Sequence, residues 1–107
     1  MRYLTPSQLS EWLGDGSRTK PLLLDVREPW EFQLCHLEGS VHVPMAAIPL
    51  RKDELDPAQE TVVICHHGAR SFQAASYLER NGFDNLYNLE SGIDGWARTV
   101  DPAMAKY

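Results

Sequence analysis

The chain has 107 residues, a net charge of −5 and two cysteines, and its apolar and charged residues occur in ordinary proportions. This length predicts one domain, residues 1–107, with enough buried surface for one hydrophobic core. The acidic balance argues against nucleic-acid binding through a broad basic face, and no apolar run is long enough to span a membrane. Because the first residues also lack the apolar core of a signal peptide, we expect a cytoplasmic protein without a disulfide framework.

The first half of the chain predicts short helices and strands in alternation. Thr5 can cap a helix that begins at Pro6, and Gln8 can complete the capping box. Two glycines, Gly14 and Gly16, follow and end this helix. The elements expected after it are a buried strand over 22–24 that ends at Asp25, a brief helix over 29–32, a strand over 41–43 and a helix over 48–55.

The second half of the chain continues the alternation of strands and helices. Its strongest signal is a helix from Ser71 to Asn81, whose apolar residues recur at helical spacing before Gly82 ends it. Alternating strands and helices indicate an α/β fold, in which a parallel sheet is covered by helices on both faces. The other elements expected here are the central strand over 61–64, a strand over 85–89, a short helix over 93–98 and an irregular tail after residue 100.

Ligands of such sheets bind beyond the carboxyl ends of the strands. Asp25, Arg27 and Cys65 each fall just after a predicted strand, so we expect them to share one rim of the sheet. Within residues 61–78 the only formally charged residue is Arg70, although the chain as a whole is acidic. This gap in the carboxylates predicts that the ligand at the rim is an anion.

Cys65 is the candidate nucleophile. It follows a buried strand and precedes a loop of small and imidazole side chains, then Arg70 and a helix. The free N–H groups and positive dipole end of that helix favour the negative charge of a thiolate, and Arg70 adds a cation that keeps its proton. The alternative is a buried structural cysteine that merely ends a strand. Gly68, Arg70 and the missing carboxylates favour the functional interpretation.

Two adjacent histidines, His66 and His67, could also indicate a metal site beside Cys65. Zinc in proteins usually has four ligands with a turn between the pairs, and three adjacent residues cannot easily point at one ion. We therefore expect no metal and interpret the imidazoles as lining the pocket entrance, where partial protonation would attract an anion. A general-base role stays open, although a thiolate stabilised by amides does not need one.

Four segments of the sequence together resemble the rhodanese domain, of the single-domain thiosulfate sulfurtransferase type. They follow the family's order through nearly the whole chain, and the combination is far more specific than any one segment. A strand-Asp-x-Arg element with a following glutamate opens the series, and a glycine-tryptophan element closes it. Ser91 stands where the family has the first glycine of the closing element. The segments are 22–32, 36–44, the loop Cys65–Ser71 and 89–96.

The resemblance implies a rhodanese-like three-layer fold, with a five-stranded parallel sheet and helices on both faces. It also implies that Cys65 takes a sulfane sulfur from thiosulfate or a related donor and forms a persulfide. A thiophilic acceptor, cyanide in the usual assay, then removes that sulfur, and no metal or organic cofactor takes part. The partners expected are a small sulfur-containing anion and, as an open alternative, a sulfur-acceptor protein, with no nucleic acid and no membrane. The loop residues expected to bind the anion are His66, His67, Gly68, Ala69 and Arg70, supported by Asp25, Arg27 and Ser71.

Loop length separates this interpretation from its nearest enzyme alternative. Cys65 and Arg70 enclose four residues, as in rhodanese-type sulfurtransferases, whereas the related tyrosine and cell-cycle phosphatases have one residue more. A wider loop suits a tetrahedral phosphate, and a tighter one suits a single sulfur atom. A phosphatase or arsenate reductase is therefore disfavoured. A binding module without activity is disfavoured as well, because such modules often lack the cysteine.

Several residues have structural alternatives. We interpret Asp25 and Arg27 as structural rather than catalytic, with Arg27 paired to Glu31 and Asp25 accepting backbone N–H groups. Cys35 stands where the family commonly has glycine, and we expect a partly buried thiol there rather than a resolving cysteine for the Cys65 persulfide. The three tryptophans, Trp12, Trp30 and Trp96, are expected to be core or covering aromatics.

Overall fold

A computed structural model describes all residues from 1 to 107, and most predicted elements are present. The Thr5 hydroxyl accepts the Gln8 N–H, and the Gln8 side chain accepts the Thr5 N–H, which confirms the capping box before Pro6. In chain order the elements are β1 (Arg2–Leu4), α1 (Pro6–Gly14), β2 (Leu22–Asp25), α2 (Pro29–Leu34), β3 (Val41–His42), α3 (Ile48–Arg51), β4 (Thr61–Ile64), α4 (Ala69–Arg80), β5 (Leu86–Leu89) and α5 (Gly92–Thr99).

Five parallel strands form one sheet in the order β1-β5-β4-β2-β3. All four residues of the central strand β4 are buried, as expected of a strand covered on both faces. The register places Asp25, the last residue of β2, beside Ile64, the last residue of β4. Cys65 therefore emerges at the carboxyl edge of the sheet next to the end of β2, and the predicted shared rim is confirmed.

Helices cover both faces of the sheet. The side chains along β4 point alternately to the two faces, and each face carries its own apolar cluster. Val63 and Cys65 belong to one cluster, together with Leu78 of α4. Val62 and Ile64 belong to the other. The predicted α/β fold with three layers is thus confirmed. The second cluster also contains Leu9 and Trp12 of α1 and Ile93 of α5, with Trp96 packed at its edge.

Three features of the fold differ from expectation. β1 was not predicted, because it is a three-residue edge strand whose Arg2 and Tyr3 are exposed and form no apolar pattern. The helix expected over 48–55 is one short α-helix between two 3₁₀ turns, since the backbone of Arg51 (φ −112°, ψ 0°) leaves the α-helical region. Trp30 covers no core and is 60% exposed. No helix of the chain has the length and apolar character needed to cross a membrane.

Candidate active site

Cys65 lies where the buried strand β4 gives way to the loop before α4. The residue is 1% exposed, and its Sγ atom accepts a hydrogen bond from the Gly68 N–H at 3.0 Å. Gly68 precedes the first turn of α4 and has a φ of 115°, in the left-handed region that favours glycine. The positive end of α4 therefore lies beside the sulfur, an arrangement that stabilises a thiolate or another anion at this position.

The last helix, α5, fixes the orientation of the loop peptides. The Ile93 N–H donates to the Cys65 carbonyl oxygen at 2.8 Å, and the next N–H donates to the His66 carbonyl oxygen at 3.0 Å. The approach is close, because a Cβ atom at Gly92 would lie 2.4 Å from the His66 carbonyl oxygen. In a trans peptide the N–H points opposite to the C=O, so the two N–H groups of these peptide units are turned away from α5. On the side that faces away from α5, the loop thus presents amide N–H donors rather than carbonyl oxygens.

Ser71 and Asn88 form a buried polar pair next to the loop. The Ser71 Oγ atom lies 3.2 Å from Cys65 Sγ and 2.5 Å from Asn88 Oδ1. Asn88 is itself oriented by a bond from its Nδ2 atom to the Gly68 carbonyl oxygen at 3.1 Å. The Ser71 hydroxyl has one proton and several acceptors around it, so a rotation of that hydroxyl can direct the proton to a negative sulfur. Sequence analysis missed Asn88, although a polar residue inside the buried strand Leu86–Leu89 is a signal that could have revealed it.

Arg70, the cation of the loop, is held by Glu31 of α2. The two Nη atoms of its guanidinium lie 2.6 and 2.9 Å from the two carboxylate oxygens, which makes the pair bidentate. Hydrogen bonding from Arg70, with a further bond from Tyr107, lowers the pKa of Glu31 to about 2. The Arg70 side chain keeps 34% of its surface exposed. The predicted cation is therefore at the rim, but a buried carboxylate neutralises much of its charge.

The predicted ion pair between Arg27 and Glu31 is wrong. Arg27 pairs with Asp25 instead, through Nη2–Oδ2 and Nε–Oδ1 bonds of 2.7 and 3.0 Å, and both side chains are buried. Only the backbone carbonyl of Glu31 accepts a bond from Arg27. Asp25 lies at the same strand end as Arg27, and Arg70 occupies the Glu31 carboxylate, which explains the exchange of partners. Asp25 also accepts the Arg27 backbone N–H at 3.1 Å, as the sequence predicts.

The two histidines after Cys65 have different surroundings. His67 is exposed, with Nε2 at 3.8 Å from an Asp94 carboxylate oxygen, whereas the Nε2 atom of His66 is buried and has no hydrogen-bond partner. Burial, together with the nearby His67, lowers the pKa of His66, which disfavours the partial protonation expected at the entrance. Donor atoms of His66, His67 and Asp94 lie within 4.8 Å of one another and could hold a metal ion, although Asp94 also pairs with Arg98 at 2.9 Å. The absence of a metal stays a prediction.

Tyr107 belongs to the same rim, although its segment contains no helix or strand. Its ring stacks on the His66 imidazole, with the centroids 3.9 Å apart and the planes 7° apart. Its hydroxyl accepts a bond from Arg27 Nη1 at 2.8 Å and donates to Glu31 Oε2 at 2.7 Å. The irregular backbone agrees with the prediction for the tail, but no pattern in the sequence signals these contacts.

The remaining predicted residues lie at or near the same rim. Ala69 is the exposed first residue of α4. Cys35 is a half-buried free thiol, as predicted, and its carbonyl oxygen accepts a bond from Arg27 Nη2 at 2.6 Å. A cysteine sulfur with amide and hydroxyl donors, beside a partly exposed arginine, can act as a nucleophile and stabilise an anionic covalent adduct.

The sequence and the fold both match known proteins. A family model described as Rhodanese-like domain matches residues 5–99. The chain is 38% identical over 97 residues to a protein named Sulfurtransferase from Allochromatium vinosum, covering 91% of this chain and 89% of that protein. It is 38% identical over 74 residues to a putative sulfur carrier protein from Bacillus subtilis, covering 69% of this chain and 40% of that protein. A rhodanese-related protein from Thermoplasma volcanium superposes with a TM-score of 0.83 at 28% identity, covering 94% of each chain.

These matches confirm the resemblance carried by the four sequence segments. The names of the two sequence relatives both refer to the transfer or carriage of sulfur. The superposition confirms the five-stranded parallel sheet with its two helical layers. Sulfur transfer, with sulfur donors or acceptors as partners, is therefore the general chemistry that the comparisons support. This chain belongs to the rhodanese-like domain family.

Proposed function

We propose that the chain is a sulfurtransferase that moves a sulfane sulfur from thiosulfate or a related donor to a thiophilic acceptor through a persulfide on Cys65. The observation that carries the proposal is the Gly68 N–H, which donates to Cys65 Sγ at 3.0 Å at the start of α4. Such a donor stabilises both the attacking thiolate and the persulfide anion that replaces it. The shared chemistry of the relatives supports the same assignment.

The proposed reaction has two displacement steps, and neither needs an external oxidant or reductant. In the first, the Cys65 thiolate attacks the outer sulfur of thiosulfate, a new S–S bond forms, and sulfite leaves with the electron pair of the broken S–S bond. In the second, the acceptor attacks the terminal sulfur of the persulfide. The Cys65–sulfur bond then breaks and the thiolate returns. With cyanide as the acceptor, the product is thiocyanate. The scheme is covalent nucleophilic catalysis.

The loop residues divide the work of binding an anion. The amides of residues 66–70 are the main donors in this proposal, because the α5 contacts turn the first two of them away from that helix. Arg70 attracts the donor anion with its exposed edge, while Glu31 holds the guanidinium in place. Ser71 adds a hydroxyl at 3.2 Å from Sγ. Asp25 and Arg27 support the rim without touching the reacting atoms.

Intact-protein mass spectrometry after incubation with thiosulfate tests the proposal. We expect the wild type to gain the mass of one sulfur atom and to lose it after a cyanide chase. The Cys65→Ser variant should gain nothing, because no other side chain at the loop can form the persulfide. Cys35→Ser is the matched control, since it removes the other free thiol, and it should load sulfur as the wild type does.

A folded wild type with a free Cys65 thiol that gains no sulfur would contradict thiosulfate as the donor. Glutathione persulfide would then be offered under the same conditions. Loading from the persulfide alone keeps the sulfurtransferase assignment and changes the donor. Loading from neither donor points to a binding module, in which the loop recognises an anion without transferring sulfur.

A further inference from the structure

The segment between α5 and residue 107 folds back across the rim that carries Cys65. It has no helix or strand to hold it, and its neighbours Ala105 and Lys106 are exposed. Tyr107 is its main anchor, through the stacked contact with His66 and the hydroxyl bonds to Arg27 and Glu31. Residues 101–107, which we name the strap, are thus held at the rim by Tyr107, while Met104 packs against the second apolar cluster.

The Tyr107 contacts connect the two ends of the active-site loop. At one end, its ring covers His66, the residue directly after Cys65. At the other end, its hydroxyl bonds the Glu31 carboxylate that grips the guanidinium of Arg70. Cys65 itself is 1% exposed and packs in the apolar cluster with Val63 and Leu78. Because His66 and Arg70 flank the loop that holds this sulfur, the ring and hydroxyl of Tyr107 border the approach to it.

The Tyr107 hydroxyl is well suited to hold the strap closed. Burial, with the hydrogen bond to Glu31, raises the pKa of Tyr107 to about 12 against the opposing effect of Arg27, so the phenol keeps its proton at neutral pH. That proton is donated to the ionised Glu31, while the oxygen accepts from the buried Arg27. Both bonds involve a charged partner and are thus stronger than bonds between neutral groups. The edge of the Trp30 ring packs on the outer side, with centroids 5.6 Å apart.

We propose that Tyr107 is a gate that selects sulfur donors and acceptors by size, because the strap must swing away from the rim to admit a bulky one. The proposal rests on the proposed function of Cys65 as the sulfur-carrying thiol. Small anions such as thiosulfate need a narrow opening, whereas a persulfide carried on a peptide or protein needs the strap displaced. Opening breaks the two hydrogen bonds and the contacts of the Tyr107 ring with His66 and Trp30, and it leaves the strands of the sheet unchanged.

Alkylation of Cys65 by reagents of different size tests the gate without any sulfur chemistry. The rate would be measured at neutral pH with iodoacetamide and with fluorescein maleimide, and peptide mapping would separate the Cys65 adduct from the Cys35 adduct. We expect Tyr107→Ala to accelerate the maleimide reaction about tenfold and the iodoacetamide reaction less than about threefold. Tyr107→Phe keeps the stacked ring and loses both hydrogen bonds, so it should shift the rates in the same sense by a smaller factor.

Matched controls separate access from other effects. Tyr3→Ala and Tyr3→Phe remove the same groups from an exposed tyrosine on β1 and should leave both rates unchanged. Equal acceleration of both reagents by the Tyr107 variants would overturn the gate, since it would report a change in thiol reactivity rather than in access. A maleimide rate within twofold of the wild type would overturn it as well. If Tyr107→Ala does not fold, Tyr107→Phe decides by the same criteria.

The outcome for the gate is independent of the outcome for sulfur transfer. A Cys65 that forms a persulfide but shows no size-dependent alkylation would retain the proposed function and remove the gate. If both hold, Tyr107→Ala should also raise kcat/KM for glutathione persulfide relative to that for thiosulfate, and a ratio equal to that of the wild type would contradict the gate.

Discussion

The strands β2 and β4 are neighbours that end at the same rim, and each is followed by an arginine, yet the two ends are built differently. At the end of β2, Asp25 and Arg27 are both buried and bonded to each other. At the end of β4, Cys65 accepts one amide bond at its sulfur, and Arg70 keeps a third of its side chain exposed. At the end of β2 the charged groups are all bonded to each other, whereas at the end of β4 the sulfur and the arginine can still contact a ligand.

The difference separates support from reactivity. The guanidinium of Arg27 donates to Asp25, to the Tyr107 hydroxyl and to backbone carbonyls, so it has no group left for an anion. A buried ion pair gives little net stability but fixes geometry, because each charge depends on the other. At the β4 end the donors are mostly backbone amides, which need no charged partner. The Asp25–Arg27 pair at the end of β2 thus supports the rim next to Cys65, the candidate nucleophile at the end of β4.

The largest predicted effect on stability comes from breaking the buried ion pair at the end of β2. In Arg27→Met, the Asp25 carboxylate loses its partner inside the protein, and we expect unfolding to become easier by about 3–5 kcal/mol in urea titrations. Arg98→Met is the control, because the Arg98 side chain is mostly exposed in its ion pair with Asp94, and its loss should change the unfolding free energy far less. A loss of unfolding free energy below about 1 kcal/mol in Arg27→Met would show that the Asp25 carboxylate does not need Arg27 as its partner.

A smaller and pH-dependent effect is expected at Glu31. Its pKa falls from 4.5 to about 2 on folding, so its contribution is fully present above pH 4.5 and is lost as the pH falls through 2. This contribution should be about 3 kcal/mol near neutral pH and about 1 kcal/mol near pH 3. Glu31→Gln removes it. The gap in unfolding free energy between the wild type and Glu31→Gln, measured in urea at both pH values, should therefore narrow in acid. A gap that does not change with pH would contradict the pairing of Glu31 with Arg70.

The smallest predicted effect concerns Arg70, at the end of β4. Arg70→Lys keeps the charge but loses the bidentate contact with Glu31, so the cation moves while the loop amides stay in place. We expect KM for thiosulfate to rise about threefold to tenfold, with a smaller change in kcat. The control is Arg18→Lys, at an exposed pair with Glu60. An unchanged KM for Arg70→Lys would assign donor binding to the amides alone.

Local patterns were enough to predict the elements that carry the candidate nucleophile. The β-branched run at 61–64, the helical spacing after Ser71 and the capping box at Thr5 each depend on neighbouring residues, and the structure confirms all three. The shared rim of Asp25 and Cys65 followed from parallel topology, which brings all strand ends to one edge.

Contacts between distant residues could not be predicted in the same way. Glu31 and Arg70 are 39 residues apart, and Tyr107 and Glu31 are 76 residues apart, so no local periodicity links them. Arg27 had the carboxylates of Asp25 and Glu31 among its neighbours along the chain, and the pairing with Asp25 depended on Arg70 reaching Glu31 from another element. Charge pairing inside a fold is decided by all the groups present, whereas helical spacing is decided by one segment.

The hydrogen bonds from α5 to the loop after β4 also determine when the thiol acquires its special environment. The peptide units after Cys65 are oriented by Ile93 and the residue that follows it, which the ribosome adds only after the whole of α4. A nascent or unfolded chain therefore carries Cys65 as an ordinary thiol, without an ordered set of amides around it. If Cys65 carries sulfur as proposed, its loading should therefore require the completed fold.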